Sequence, residues 1–124
     1  MLRNVCIILL NSGSIDLRDC AMPIMHAMTA RALDCKVEMY FVGPAIRLLT
    51  VGGDADPAAP GATHTLREQL RIARQEGIEL FACSAAQRTY VERDMALADY
   101  CSGVAGAASY LARALDPDWR VLTY

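Results

Sequence analysis

The chain has 124 residues, enough to bury a core without covalent staples, and its 54% hydrophobic and 21% charged residues give a folded globular composition rather than a disordered one. Its formal net charge is -2, its arginines are interleaved with acids, and it has no basic run. These features argue against a nucleic-acid partner or an anionic membrane surface. A single domain over residues 1–124 is expected.

Val5 to Leu10 is apolar and follows Arg3, but six residues are too few for a secretory signal core, and Asn11-Ser12-Gly13-Ser14 breaks the run. No stretch approaches the roughly 20 apolar residues of a membrane helix, so a cytoplasmic protein with no membrane contact is expected. The cysteines, Cys6, Cys20, Cys35, Cys83 and Cys101, are odd in number and contain no C-x-x-C pair, and they read as reduced thiols. With only His26 and His64 to join them, no metal-ligand spacing recurs, and neither a metal nor a cofactor is called for.

In chain order, Asn4 to Leu10 reads as a strand buried on both faces. A helix follows over about Cys20 to Leu33, with Asp16 or Asp19 as its cap and Pro23 near its first turn. Met25, Met28 and Ala32 form its expected core stripe. Lys36 to Val42 is a second strand ended by Gly43-Pro44, and Ala45 to Thr50 suits a single helical turn. Val51 to Thr63 is a long loop rich in glycine and proline, either a plain surface linker or a binding loop that gates access.

The next helix opens with a capping box, Thr65-x-x-Glu68, carries Leu66, Leu70 and Ala73 inward, and ends at Gly77. Its arginines, Arg67 among them, read as a solvated face. Ile78 to Ala82 is a third strand with Cys83 at its carboxyl end. A helical stretch within Ala85 to Asp99, broken near Thr89 to Val91, leads to a possible short strand at Tyr100-Cys101. Ser102 is the expected cap of a last helix, Gly103 to Leu115, with Val104, Ala108, Leu111 and Leu115 inward. Asp116-Pro117 stops it, and Arg120 to Tyr124 is a final strand.

Alternating strands and helices imply an α/β protein of three layers, α/β/α, with a mostly parallel sheet of about five strands and right-handed crossovers. Chemistry in such sheets collects at the carboxyl ends of strands. Asn11 to Ser14, Gly43-Pro44 and Cys83-Ser84 should therefore converge there. The first turn is neither G-x-G-x-x-G nor a P-loop, so a dinucleotide site is disfavoured. It is also poorer in glycines and hydroxyls than a flavin mononucleotide site would want, and the carboxylates of a phosphoacceptor site are missing.

Cys83 is the nucleophile candidate. A thiol works as its thiolate, which is favoured beside a helix start or a cation. The N–H groups of Ala85, Ala86 and Gln87, the Ser84 hydroxyl and the Arg88 guanidinium are the stabilising groups nearest in sequence. No base stands close in sequence, which leaves a Cys–His pair with little support. A low-pKa thiol without a base suits a carrier of a persulfide, a mixed disulfide or an oxidised sulfur. Position alone leaves an inert strand-end cysteine and a functional, water-accessible thiol equally open.

The stretch "GIELFACSAAQRTYV", the later "GVAGAASYLARAL", the closing "RVLTY", the opening "NVCIILLNS" and "CKVEMYFVGPAIRLL" together resemble the DsrE/DsrF-like family of small sulfur-relay proteins. The resemblance spans nearly the whole chain and lies in the order of segments and the cysteine position. It implies a doubly wound α/β domain that assembles into a homo-oligomer (trimer or hexamer) or with paralogous subunits. It also implies that Cys83 accepts sulfane sulfur as a persulfide, a sulfurtransferase activity, and passes it from a donor protein to an acceptor protein. Cys20 and Cys101 are candidates for a second thiol. Asn11, Ser12, Ser84 and Arg88 are the expected binding residues around Cys83. The alternative is a non-catalytic subunit of the same fold that binds a small molecule or nucleotide, or serves assembly.

Overall fold

The computed structural model describes residues 3–10, 16–51, 58 and 61–124. Five strands form one parallel sheet: β1 (Asn4–Leu9), β2 (Lys36–Phe41), β3 (Glu79–Cys83), β4 (Gly103–Ala105) and β5 (Trp119–Thr123), in the spatial order β4-β3-β2-β1-β5. The helices are α1 (Ala21–Ala32), α2 (Leu66–Gln75), α3 (Ser84–Tyr90) and α4 (Ala107–Leu115), with 3-10 helices at Leu17–Cys20 and Pro44–Leu49. The architecture is three-layer α/β/α.

Connection direction explains the layers. From β1 to β4 the chain steps steadily toward one edge, so right-handed crossovers put α1, α2 and α3 on one face. The return from β4 to β5 runs the other way and puts α4 on the opposite face. The main core lies under the first three helices and contains Ile7, Leu9, Val37, Met39, Phe41, Leu80 and Ala82 from the sheet, with Ile24, Leu66 and Leu70 from α1 and α2. Cys6, Ile8, Tyr40 and Trp119 form a smaller cluster on the other face.

Several local expectations hold for visible reasons. The Thr65 side chain accepts from the Glu68 N–H, and Leu66, Leu70 and Ala73 are buried. Gly77, just past α2, has φ 93, a left-handed value that a Cβ would disfavour. Asp16 caps the 3-10 helix that precedes α1, accepting from the Arg18 N–H. At the end of β2, Gly43 donates to the Leu9 carbonyl, and a Cβ there would lie 1.7 Å from the Leu10 carbonyl oxygen. The ends of β1 and β2 thus approach more closely than any side chain permits.

Five expectations are corrected. Met25 is 52% exposed and Ala32 is also outside, while Pro23, Ile24 and Ala27 face the core. Helix α1 is apolar nearly all round, so its periodicity does not fix its phase. The last helix begins only at Ala107, because Gly103 to Ala105 pairs with β3 as β4. Val104 is exposed on the edge strand β4, and Ala108, Leu111 and Leu115 stand outside, Leu115 at 85% exposure, because α4 is turned so that Arg113 reaches a buried glutamate. Ser102 caps no helix. Its Oγ accepts from the Leu80 N–H at 2.8 Å, and its own N–H donates to the Leu80 carbonyl. Arg67 is not merely solvated: it donates to the carbonyls of Arg47, Leu48 and Thr50 and so satisfies the end of the second 3-10 helix.

Candidate functional site around Cys83

Cys83 closes β3 and is also the residue before α3, with extended dihedrals and no capping hydrogen bond from its side chain. Its backbone is in register with Ala105 of β4, and Ala82 is in register with Phe41 of β2. Gly43-Pro44 therefore stands on the neighbouring strand end, as the topology required. A Cβ placed on Gly106 would lie 3.9 Å from the Ser84 Oγ, so the start of α4 sits beside the start of α3. Ser84 is half-buried, whereas Arg88 is exposed in the last turn of α3, at the end away from Cys83. Asn11 and Ser12, with most of the long 51–63 loop, lie outside the described residues.

Cys83 itself is buried, at 3% exposure, which corrects the expectation of a water-accessible thiol. Strand alternation puts Cys83 on the face of Phe81, the face that α4 covers. There Tyr40 stacks on Phe81 with centroids 5.2 Å apart, and Tyr110 of α4 meets Tyr40 edge-on at 5.6 Å. Tyr110 packs against both hydrophobic clusters, the larger of which includes Cys83. Burial, and then the charge of the Cys83 thiolate, hold the Tyr110 hydroxyl above the usual phenol range.

Beside these rings lies a buried ion pair. Arg113 Nε and a second guanidinium nitrogen donate to the two carboxylate oxygens of Glu38 at 2.9 and 3.0 Å, and the Tyr40 hydroxyl donates to the first oxygen at 2.9 Å. The Arg113 guanidinium lies 4.0 Å from the Trp119 ring centroid. Cys6, next to this pair, is pushed up to about 12 by burial and then by the Glu38 charge. Burial, followed by the hydrogen bond to Glu38, also raises Tyr40. Both groups stay protonated at neutral pH.

None of the five cysteines forms a disulfide. Cys20 is fully buried, and Cys101, half-buried, donates to the Gly103 carbonyl at 3.4 Å. His26 shares a short hydrogen bond with the Tyr124 hydroxyl through Nδ1, beyond β2 and β1 from Cys83. Among the described residues there is no cluster of histidines, cysteines and acids able to hold a metal ion, and no helix long and apolar enough to cross a membrane. A cleft of about 420 Å³ lies at the far end of α3, lined by Arg47, Thr89, Tyr90, Val91, Glu92 and Arg93. It is separate from the thiol.

Sequence reasoning missed Tyr110, Glu38, Arg113 and Trp119. Glu38 carried a signal: a lone carboxylate inside the apolar run of a strand buried on both faces must find a cation. Tyr110 carried none, because its helix was phased the wrong way round.

The five-stranded parallel sheet with helices on both faces defines the class. Within it, the chain is similar to the crystal structure of the ychN protein from E. coli, with a TM-score of 0.64 and 17% sequence identity over 100% of both chains. No family model and no curated protein sequence matches the chain.

Proposed function

We propose that the chain is a sulfur-relay protein whose Cys83 carries sulfane sulfur as a persulfide. The observation that carries the reading is the position of Cys83: a free thiol with no hydrogen bond of its own, at the carboxyl rim of a parallel sheet where β3 and β4 end together. The DsrE/DsrF-like resemblance of the sequence supports the same assignment, and the ychN-like fold is compatible with it.

In the proposed step, the Cys83 thiolate attacks the terminal sulfur of a donor protein's persulfide. One S–S bond forms on Cys83 and the donor's S–S bond breaks, so the donor leaves as a thiolate and no net oxidation occurs. An acceptor thiolate then takes the sulfur by the same exchange. Because Cys83 is covered, transfer requires the turn from β4 into α4 to move aside. Ser84 is the proposed binding residue on the described rim, Arg88 at the far end of α3 is a proposed contact for the partner protein, and Asn11 and Ser12, which follow β1 in the sequence, are proposed to join them.

We further propose a homo-oligomer, a trimer or hexamer. One nine-residue helix covers a face of a five-stranded sheet, and its outer side presents Leu111 and Leu115 to solvent. Light scattering on the purified chain reads this directly, and a monomer at micromolar concentration overturns it.

The relay test is intact mass after incubation with a persulfide donor, comparing wild type with Cys83→Ser. Wild type should gain one sulfur atom that the variant does not, and equal uptake by both ends the assignment. The burial of Cys83 favours a second reading, an assembly subunit, in which Cys83→Ser leaves sulfur uptake unchanged while Leu115→Glu breaks the oligomer.

A further inference from the structure

We propose that the Tyr110 hydroxyl is the hydrogen-bond donor that stabilises the Cys83 sulfur as it becomes anionic. The inference rests on the relay reading only for what the thiolate goes on to do; the pairing itself is argued from geometry.

Three placements lead to it. First, β3 alternates, so Phe81 and Cys83 project to the same side of the sheet, two residues apart. Second, Tyr40 is in register with Phe81 and stacked on it, and Tyr110 stands edge-on to Tyr40, which puts the Tyr110 ring over this part of the sheet. Third, Ala105 pairs with Cys83, and the chain turns at Gly106 directly into α4. Tyr110 lies one turn into that helix, on the side facing the sheet, as shown by its contacts with both clusters. Cys83 belongs to the larger cluster, which Tyr110 packs against, strand alternation puts it on the α4 face, and its charge acts on the Tyr110 hydroxyl.

The chemistry suits the placement. Tyr110 makes no hydrogen bond among the described residues, and neither does Cys83. A phenol is a strong donor to a charged sulfur, and burial and the Cys83 charge, which hold its titration above the usual phenol range, keep Tyr110 protonated at neutral pH. A buried thiol has little water to stabilise its anion, so one well-placed donor matters more than on a surface. Arg88, the cation nearest in sequence, is exposed at the far end of α3 and does not fill this role. In the proposed arrangement Tyr110 also covers the sulfur. The movement that would admit a donor protein would carry it away on α4, so the group that favours the thiolate shares an element with the cover.

The test reads the two hydroxyl and thiol titrations separately. The ultraviolet thiolate absorbance of Cys83 is obtained as the difference between wild type and Cys83→Ser, and again between Tyr110→Phe and the double variant. Loss of the donor should raise the midpoint of that curve by about one pH unit, a roughly tenfold smaller thiolate fraction on its acid side. Reciprocally, Cys83→Ser should lower the midpoint of one tyrosine in the phenolate absorbance curve, read by comparing wild type with Cys83→Ser. That second measurement needs only a folded serine variant if the phenylalanine variant does not fold. Unchanged midpoints in both directions overturn the proposal. A merely structural role for Tyr110 would lower thermal stability and leave the midpoints in place. The outcomes separate this inference from the relay reading. Shifted midpoints without sulfur uptake leave the Tyr–Cys pair standing and end the relay, and sulfur uptake with unshifted midpoints does the reverse.

Discussion

Replacing Arg113 with methionine tests what holds α4 to the sheet. Every residue of α4 is at least partly exposed, so the helix is not anchored by a buried apolar stripe. Its fixed point is the charge pair with Glu38, whose side chain is only 6% exposed. In Arg113→Met the methionine keeps some of the contact with Trp119, but the second carboxylate oxygen loses its guanidinium donor and the first keeps only Tyr40. Breaking a buried pair from one side costs about 3–5 kcal/mol, because a desolvated charge is left behind. Arg113 is itself 31% exposed, so water can reach the vacated position and the low end, about 3 kcal/mol, is the expectation. Against a typical total of about 5–15 kcal/mol the variant still folds. Urea denaturation followed by circular dichroism measures the loss. Glu38→Gln in the same background removes the stranded charge and should recover about half of it. A cost under about 1 kcal/mol, or no recovery from Glu38→Gln, would refute the claim that this pair is desolvated and anchors α4. If α4 covers Cys83 as proposed, alkylation of that thiol should be faster in Arg113→Met than in wild type.

Gly43→Ala should destabilise the chain by roughly 3 kcal/mol or abolish folding, since the added Cβ meets backbone 1.7 Å away that no rotamer change can relieve; thermal melting reads it. Thr65→Ala removes the acceptor for the Glu68 N–H and should cost about 1 kcal/mol in the same assay. Stability should also fall in alkali. Cys6 and Tyr40 titrate higher in the folded chain than unfolded, so the stabilisation they supply is complete below about pH 8.5 and is lost as pH rises toward about 12. A melting temperature that stays flat from neutral pH to about pH 11 would contradict the burial of these groups.

The parts of the fold that were legible in the sequence are those where one physical term dominates. Asn4–Leu9 and Lys36–Phe41 are short apolar runs buried on both faces, which only central parallel strands tolerate. Helix α2 has one apolar stripe, a capping residue at its start and a left-handed glycine at its end, so its span and inner face both follow. Helices α1 and α4 lack that contrast. Alanines and methionines surround α1, and the burial of Ile24 and Ala27 rather than Met25 is decided by the sheet beneath. In α4 the apolar positions Leu111 and Leu115 form a convincing stripe, but the buried carboxylate of Glu38 competes for the inward side and draws Arg113 under the helix. An unpaired buried charge costs more than exposing two leucines, so electrostatics sets the phase and the leucines are left outside.

That reversal also determines what could be seen of the site. The position of Cys83 follows from strand and turn signals along β3, and its rim placement was legible. Its surroundings were not, because they depend on which side of α4 faces the sheet. With the leucines inward, Tyr110 would point away and the thiol would have only Ser84 and the start of α3 for company. With Arg113 inward, Tyr110 is brought over Phe81 and Tyr40, and the thiol is covered rather than open. A single glutamate in β2 thus leads, through one arginine and the helix that carries it, to the covered environment of a cysteine on the neighbouring strand. If that chain of causes is right, Glu38→Gln alone should loosen α4 and speed alkylation of Cys83 while leaving β1, β2 and β3 paired. Amide exchange that stays slow in those strands but quickens in α4 is the expected pattern. Uniform quickening across the sheet would mean that the pair supports the whole fold rather than the cover over the thiol.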